Sequence, residues 1–261
     1  MSWTTQAQEL LLQIEATQSE PIGRAAAIAA ESIGSGSVMF ASGTGHSRIA
    51  VEELFPRYGS FPGFYPLVEL STTFHTQVVG NNGQRQAMFL ERVEGLAEQI
   101  LANFALAPPQ SMILFSASGQ NAVAIELARI ASAAGLAVVG VTSLAEYAAS
   151  PARHSSGLKL ANVVDVVIDL CTPVGDALSY VDGLDTPIGP GTTLASAAVV
   201  NLLKVETARL LIEAGQMPSV LTSAALVGAE RSSALFEDAY LDQAERSAAV
   251  LRTRRSPGPM A

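Results

Sequence analysis

The sequence predicts an α/β protein whose five-stranded parallel sheet is covered on both faces by helices. Two observations carry that reading. Short apolar runs bounded by turn residues alternate with segments of helical period, the pattern of strands joined by helical crossovers. Twice, a strand runs directly into a turn rich in glycine and serine and then into a helix. The first unit is Val38-Met39-Phe40-Ala41 followed by Ser42-Gly43-Thr44-Gly45-His46-Ser47, and the second is Met112-Ile113-Leu114-Phe115 followed by Ser116-Ala117-Ser118-Gly119-Gln120-Asn121. Small residues let the backbone approach a ligand, and the unpaired N–H groups of a first helical turn attract an anion, usually a phosphate.

The elements follow in order. Residues 3–18, with Trp3, Leu10, Leu11 and Ile14, predict an amphipathic helix, and Ser19-Glu20-Pro21 predicts the start of a second one ending near Gly34. This N-terminal extension, about residues 1–34, carries no ligand motif and reads as a packing or dimerisation element. The first strand–turn unit leads into a helix from Ile49 to about Tyr58. Phe61-Pro62-Gly63 is a loop, 66–70 a second strand, and Ser71-Thr72-Thr73-Phe74-His75 its exit. After a turn at 80–83, Met88 to Phe104 predicts one long helix returning to the third strand at Met112. Ala122 to Ala134 is the next helix, 137–142 the fourth strand, 145–159 an irregular region, and 163–168 the fifth strand. A loop rich in Gly, Pro and Asp then runs from Cys171 to Thr193, a length that in a compact domain points to function. It ends at Gly189-Pro190-Gly191-Thr192-Thr193, where a hydroxyl is expected to cap a helix running to about Glu213.

Composition narrows the classes. The 261 residues suit one domain, assigned to 1–250, with 251–261 expected to be a disordered tail that holds the basic cluster Arg252-Thr253-Arg254-Arg255. Hydrophobic residues make up 49%, yet no run of about eighteen stays apolar without a charge, so no membrane span is expected. No signal-peptide pattern is present, and the expected location is the cytoplasm. A net charge of −9 argues against a nucleic-acid partner, because phosphate backbones demand clustered Lys and Arg. The single Cys171 has no partner for a disulfide or a zinc site and reads as a small core residue.

A Ser-x-Ser-Gly turn on a buried strand, a helix ending in Ala-Ala-Gly, and a hydrophobic strand ending in Val-Thr-Ser together resemble the sugar isomerase (SIS) domain. The resemblance covers roughly residues 20–215, with Arg153-His154-Ser155-Ser156-Gly157 and the 189–193 loop similar to the branch that carries the label phosphoheptose isomerase. It implies a three-layer, flavodoxin-like sandwich, phosphosugar binding, and a homodimer or homotetramer. Carried over residue by residue, it places the phosphate on Ser116, Ser118, Gly119, Gln120 and Asn121 of the second turn, with Ser47 of the first; the glycine turn and the helix start at the 189–193 loop add Gly43, Thr44, Gly45, His46, Thr192 and Thr193 as substrate-binding candidates. Many SIS turns have Ser or Thr where this chain has Asn121; an amide also donates a hydrogen bond. The activity implied is aldose–ketose isomerisation of a sugar phosphate without a metal or other cofactor. The alternatives are a non-catalytic phosphosugar sensor, or an amino-sugar-phosphate lyase, deaminase or deglycase.

Isomerisation through an enediol needs a base near a carbon-bound proton and a group that polarises the carbonyl. The histidines are His46, His75 and His154, each either an acid–base group or a loop-fixing hydrogen-bond partner. Among carboxylates, Glu53 is preferred over Glu52 on the helix after the first turn, and Glu69 closes the second strand. The catalytic candidates are therefore Glu53, Glu69, His75 and His154. Asp176, Asp182 and Asp185 lack the spacing of a calcium loop, so no metal is expected. Gly43-x-Gly45 with Glu69 imitates a dinucleotide fingerprint, but Arg48 stands where the third glycine belongs. The Gly-x-Ser-x-Gly of a nucleophile elbow is absent.

Overall fold

The computed structural model describes residues 1–73 and 83–252. It opens with a 32-residue helix, α1 (Trp3–Gly34), where two were expected. β1 (Met39–Gly43) runs through a single 3-10 turn at Gly45–Ser47 into α2 (Arg48–Leu54), and β2 (Phe64–Leu67) lies two residues earlier than expected, because Leu70 already starts the short helix α3 (Leu70–Thr73). The long helix expected over 88–104 is instead two, α4 (Gly83–Leu90) and α5 (Leu96–Leu101), divided at Gly95, whose φ of 89° no helix accommodates. β3 (Ser111–Phe115), α6 (Ala122–Ala133) and β4 (Ala137–Thr142) match their expected bounds to within a residue. The region read as irregular holds a one-turn helix, α7 (Leu144–Ala149), ahead of β5 (Val166–Asp169). The 171–193 loop folds back on itself as an antiparallel hairpin, β6 (Ala177–Ser179) with β7 (Ile188–Pro190), before α8 (Thr192–Glu213). Two further helices that the sequence reading did not place, α9 (Ala224–Val227) and α10 (Ala229–Val250), complete the described chain.

The five main strands are all parallel in the order β2-β1-β3-β4-β5, the flavodoxin-like arrangement. Proline removes a ladder N–H and is tolerated at an edge; Pro66 sits on β2, which pairs with β1 alone. Every residue of β1 and β3 is buried, as expected of central strands covered on both faces. Alternate residues feed two separate cores. Met39, Ala41, Ile113, Phe115, Val139 and Val141 face α1, α2 and α8, whereas Phe40, Met112, Leu114 and Val138 face α5, α6 and Val250 of α10.

The first of these cores explains why α1 passes through Pro21. Proline inside a helix removes one N–H donor and normally breaks or bends it. Here Leu10 and Ile14 before Pro21, and Ile22, Ala25, Ala29 and Ile33 after it, belong to one buried cluster with Val199, Leu203 and Leu211 of α8. Fully burying each large side chain is worth about 1.5–3 kcal/mol, so several such residues on both sides outweigh a local cost of about 3 kcal/mol.

Candidate functional site

β1 and β3 lie side by side in register from Met39↔Ser111 to Gly43↔Phe115, so their following turns leave the sheet at one level. The chain order reverses between these strands, and the crevice opened at such a switch point is where open α/β sheets bind ligands. A cleft of about 380 Å³ occupies it. Thr44, Gly45, His46 and Ser47 line it from the first turn, Ser116, Ser118 and Asn121 from the second, and Thr192, Thr193 and Ser196 from the start of α8. Gln84, Met88 and Glu91 of the α4 segment close a further side.

Backbone closeness explains the glycines behind this lining. A Cβ on Gly43 would lie 2.7 Å from the carbonyl oxygen of Ser47, inside van der Waals contact, so only glycine permits the turn. Gly119 has φ +64°, and its Cβ would stand 3.0 Å from Thr142 Oγ1. That hydroxyl donates to Ala117 O at 3.1 Å, and Gly119 N donates to Ser116 O at 3.0 Å, which folds the serine turn tightly over the end of β4. Gly43, Gly119 and Gln120 do not themselves line the cleft; Gln120 is buried behind it, with Oε1 lacking a hydrogen-bond partner.

Two helices of useful length begin at the cleft, and they differ. Asn121, the N-cap of α6, makes no side-chain cap bond to the helix. At α8 the expected hydroxyl cap is also absent: Asp176 Oδ1 accepts from Gly191 N at 3.1 Å and Thr192 N at 2.7 Å, so a carboxylate from the preceding loop already fills the anion position. Thr192 Oγ1 is left buried with no hydrogen-bond partner.

Three of the four expected catalytic residues fall elsewhere. Glu53 lies outside the cleft on α2, bonded to Arg57 at 2.7 Å and 3.7 Å from Lys204 of α8. Burial raises its pKa, but the bond from Arg57 with the Lys204 charge outweighs this and holds the carboxyl below the ordinary range. Glu69 caps α3, accepting from the amide and hydroxyl of Ser71, and does not line the cleft. His154 is buried away from it, while His75 lies outside the described residues. Two carboxylates do face the cleft: Asp176, engaged at the start of α8, and Glu91, at the break between α4 and α5, where the sequence showed only an unbroken helical stretch. Thr44 Oγ1 donates to Glu91 Oε2 at 2.7 Å. Burial pushes its pKa up, opposed by the Thr44 bond and by Arg92, Asn121 and Arg153.

Residues 2–143 match the SIS domain. The chain belongs to the SIS domain family. A UPF0309 protein of Streptomyces coelicolor is 32% identical over 234 residues, 89% of this chain and 91% of that protein, and one of Caldanaerobacter subterraneus is 33% identical over 231 residues, 87% and 92% of the respective chains. Among solved structures, a phosphoheptose isomerase from Francisella tularensis is similar with a TM-score of 0.49 at 14% identity, covering 79% of this chain and 95% of that one.

In this SIS domain the cleft brings together hydroxyls, uncapped helix-start amides and two carboxylates, the partly buried Glu91 and the Asp176 that caps α8. Among the described residues, no Lys or Arg lines the cleft. A smaller adjoining pocket, lined by Ser143, Glu146, Thr172 and Gly175, shares Ser118, Asp176 and Thr192 with the cleft. No helix among the described residues is long and apolar enough to cross a membrane.

Proposed function

We propose that the cleft binds a phosphorylated sugar and isomerises it between aldose and ketose, with protein groups as acid and base, in the cytoplasm. The supporting observation is that the uncapped start of the twelve-residue helix α6 shares the cleft with Glu91. The phosphate is assigned to the hydroxyls of Ser116 and Ser118, the Asn121 amide and the first turn of α6, with Ser47 alongside. The sugar then extends towards Glu91. As base, the Glu91 carboxylate takes the C2 proton of the aldose to give the enediol, and returns a proton to C1 to give the ketose. A pKa raised by burial suits this work, because a more basic carboxylate holds the abstracted proton better. Thr44 fixes its orientation and His46 stands in the same cleft to serve the carbonyl. Assembly as a homodimer or homotetramer, implied by family, belongs to this reading, and sedimentation velocity measures it.

Solvent exchange tests the chemistry. Sugar phosphates of three to seven carbons, N-acyl amino-sugar phosphates that would use the adjoining pocket, and nicotinamide cofactors are screened for binding; hits are incubated in D2O. Deuterium at C1 of the ketose, and at C2 of aldose re-formed from the enediol, is the expected result. Binding without exchange favours a sensor, release of ammonia or an amine favours the amino-sugar chemistries, and binding of nicotinamide alone sinks the proposal. Ser118→Ala should weaken binding of the hit by about 1–2 kcal/mol, the scale of one lost hydrogen bond to a charged group; unchanged affinity removes Ser118 from the phosphate site.

A further inference from the structure

His154, Glu94 and Glu126 converge from three separate segments outside the cleft. Glu94 lies in the turn between α4 and α5, Glu126 on α6, and His154 in the turn after α7. The His154 side chain is 3% exposed, and its Nε2 has no hydrogen-bond partner. That nitrogen is aimed at two carboxylates, 3.6 Å from Glu126 Oε1 and 4.0 Å from Glu94 Oε2. These separations are too long for hydrogen bonds. They suit atoms that share an ion: two ligands each about 2.0–2.2 Å from a tetrahedral metal stand about 3.4 Å apart, so shifts of a few tenths of an ångström bring the set together.

The second layer is already in place. Both Glu126 oxygens accept from Gly95 N at 2.9 Å, and Glu94 accepts from Ser155 N at 2.7 Å and Ser155 Oγ at 2.6 Å. His154 Nδ1 accepts from Ser156 N at 3.1 Å and lies 2.7 Å from Ser156 Oγ, so the neutral ring carries its proton on Nε2; an ion at Nε2 displaces that proton to Nδ1, which then donates to the Ser156 hydroxyl. Among the described residues no Lys or Arg makes a salt bridge to either glutamate. Two carboxylates beside a neutral imidazole carry a charge of −2, which one divalent cation balances. Glu94 is exposed and leaves a path from solvent.

We propose that Glu94, Glu126 and His154 bind one divalent first-row transition ion, of the zinc or manganese kind. Two carboxylate oxygens and one imidazole nitrogen form a borderline donor set that favours such ions over calcium or magnesium. The ion ties the α4–α5 turn, three residues beyond Glu91, to α6 and to the 153–157 turn. Its role is to hold those segments together, and it takes no part in the sugar chemistry of the cleft, so the two readings stand or fall separately.

The test is calorimetric titration of the chelator-treated full chain with Zn²⁺ and with Mn²⁺, in the absence of any sugar, paired with thermal melts. The expected result is one ion per chain and a raised melting temperature. Glu94→Gln, at an exposed position that leaves the fold intact, should weaken binding at least about tenfold, the usual effect of disturbing a metal site. His154→Asn should abolish it, and His46→Asn should bind as the parent does. Absence of saturable binding overturns the proposal, as does affinity unchanged in both Glu94→Gln and His154→Asn, or calcium binding as tightly as zinc. If His154→Asn does not fold, Glu94→Gln alone decides.

Discussion

Glu91 and Glu53 show how placement decides what a carboxylate can do. Both are partly buried, and burial pushes each pKa up. Glu53 meets Arg57, Lys204 and Asn201, and the balance falls below the ordinary range; it stays ionised and occupied. Lys204 shows the other side of that pair, since its own burial lowers its pKa by more than Glu53 restores. Glu91 meets chiefly a neutral hydroxyl, and the balance stays above the ordinary range. A base must be deprotonated to act, so the acid limb of the rate profile should lie at higher pH than for a free glutamate. Glu91→Gln should lower kcat by about 10²–10⁴-fold, the usual worth of a general base, while changing sugar-phosphate affinity little; steady-state kinetics and a binding isotherm check it, and retained turnover removes Glu91 as base. Stability should move the other way. With a folded pKa above the unfolded one, the ionised form costs stability above the folded value, and the cost vanishes below the unfolded value. Glu91→Gln should therefore melt higher than the parent at neutral pH, with the gain closing as pH falls through the carboxylate range.

At the scale of elements, α6 and α8 differ in how their first amides are met, and the proposed phosphate site rests on that contrast. Asp176 reaches across the hairpin loop to cap α8, holding a left-handed φ of 65° to do so. Asp176→Ala should cost about 0.5–2 kcal/mol, as loss of an N-cap does, read as a lower urea midpoint with unchanged slope; no loss means the cap contributes nothing. This device was not legible in the sequence, where Thr192 and Thr193 stood at the expected cap position and Asp176 lay sixteen residues upstream of Thr192. The strand–turn–helix units at β1 and β3 were legible, because apolar runs with glycine turns are local signals. The break between α4 and α5 was not: one glycine in a helical stretch is ordinarily tolerated, and only tertiary placement gives Gly95 its positive φ. Pro21 failed in the opposite direction, a strong local stop overruled by the buried stripe that α1 lays against α8.

For the molecule as a whole, the cleft draws on four stretches of chain, 44–47, 84–91, 116–121 and 176–196. Those next to sheet strands could be placed from sequence, and Thr44, Gly45, His46, Ser47, Ser116, Ser118 and Asn121 line the crevice while Gly43, Gly119 and Gln120 stand behind it. Glu91 could not, since nothing local marks a carboxylate whose role depends on a hydroxyl 47 residues earlier. The same dispersion makes a strong test of the reading. Amides in the buried strands β1, β3 and β4 exchange with solvent by global opening, whereas cleft turns open locally. A sugar phosphate at a hundred times its Kd adds about 2.7 kcal/mol to the bound state, so any amide whose opening releases the ligand should exchange about a hundredfold more slowly. Hydrogen exchange should therefore slow together in 44–47, 116–123 and 190–196, although these lie far apart in sequence. The exposed outer side of α10, which contributes nothing to the cleft, should gain no local protection. Slowing confined to one of the three turns would show a ligand resting on that element alone, and would remove the shared crevice between β1 and β3 as the binding site.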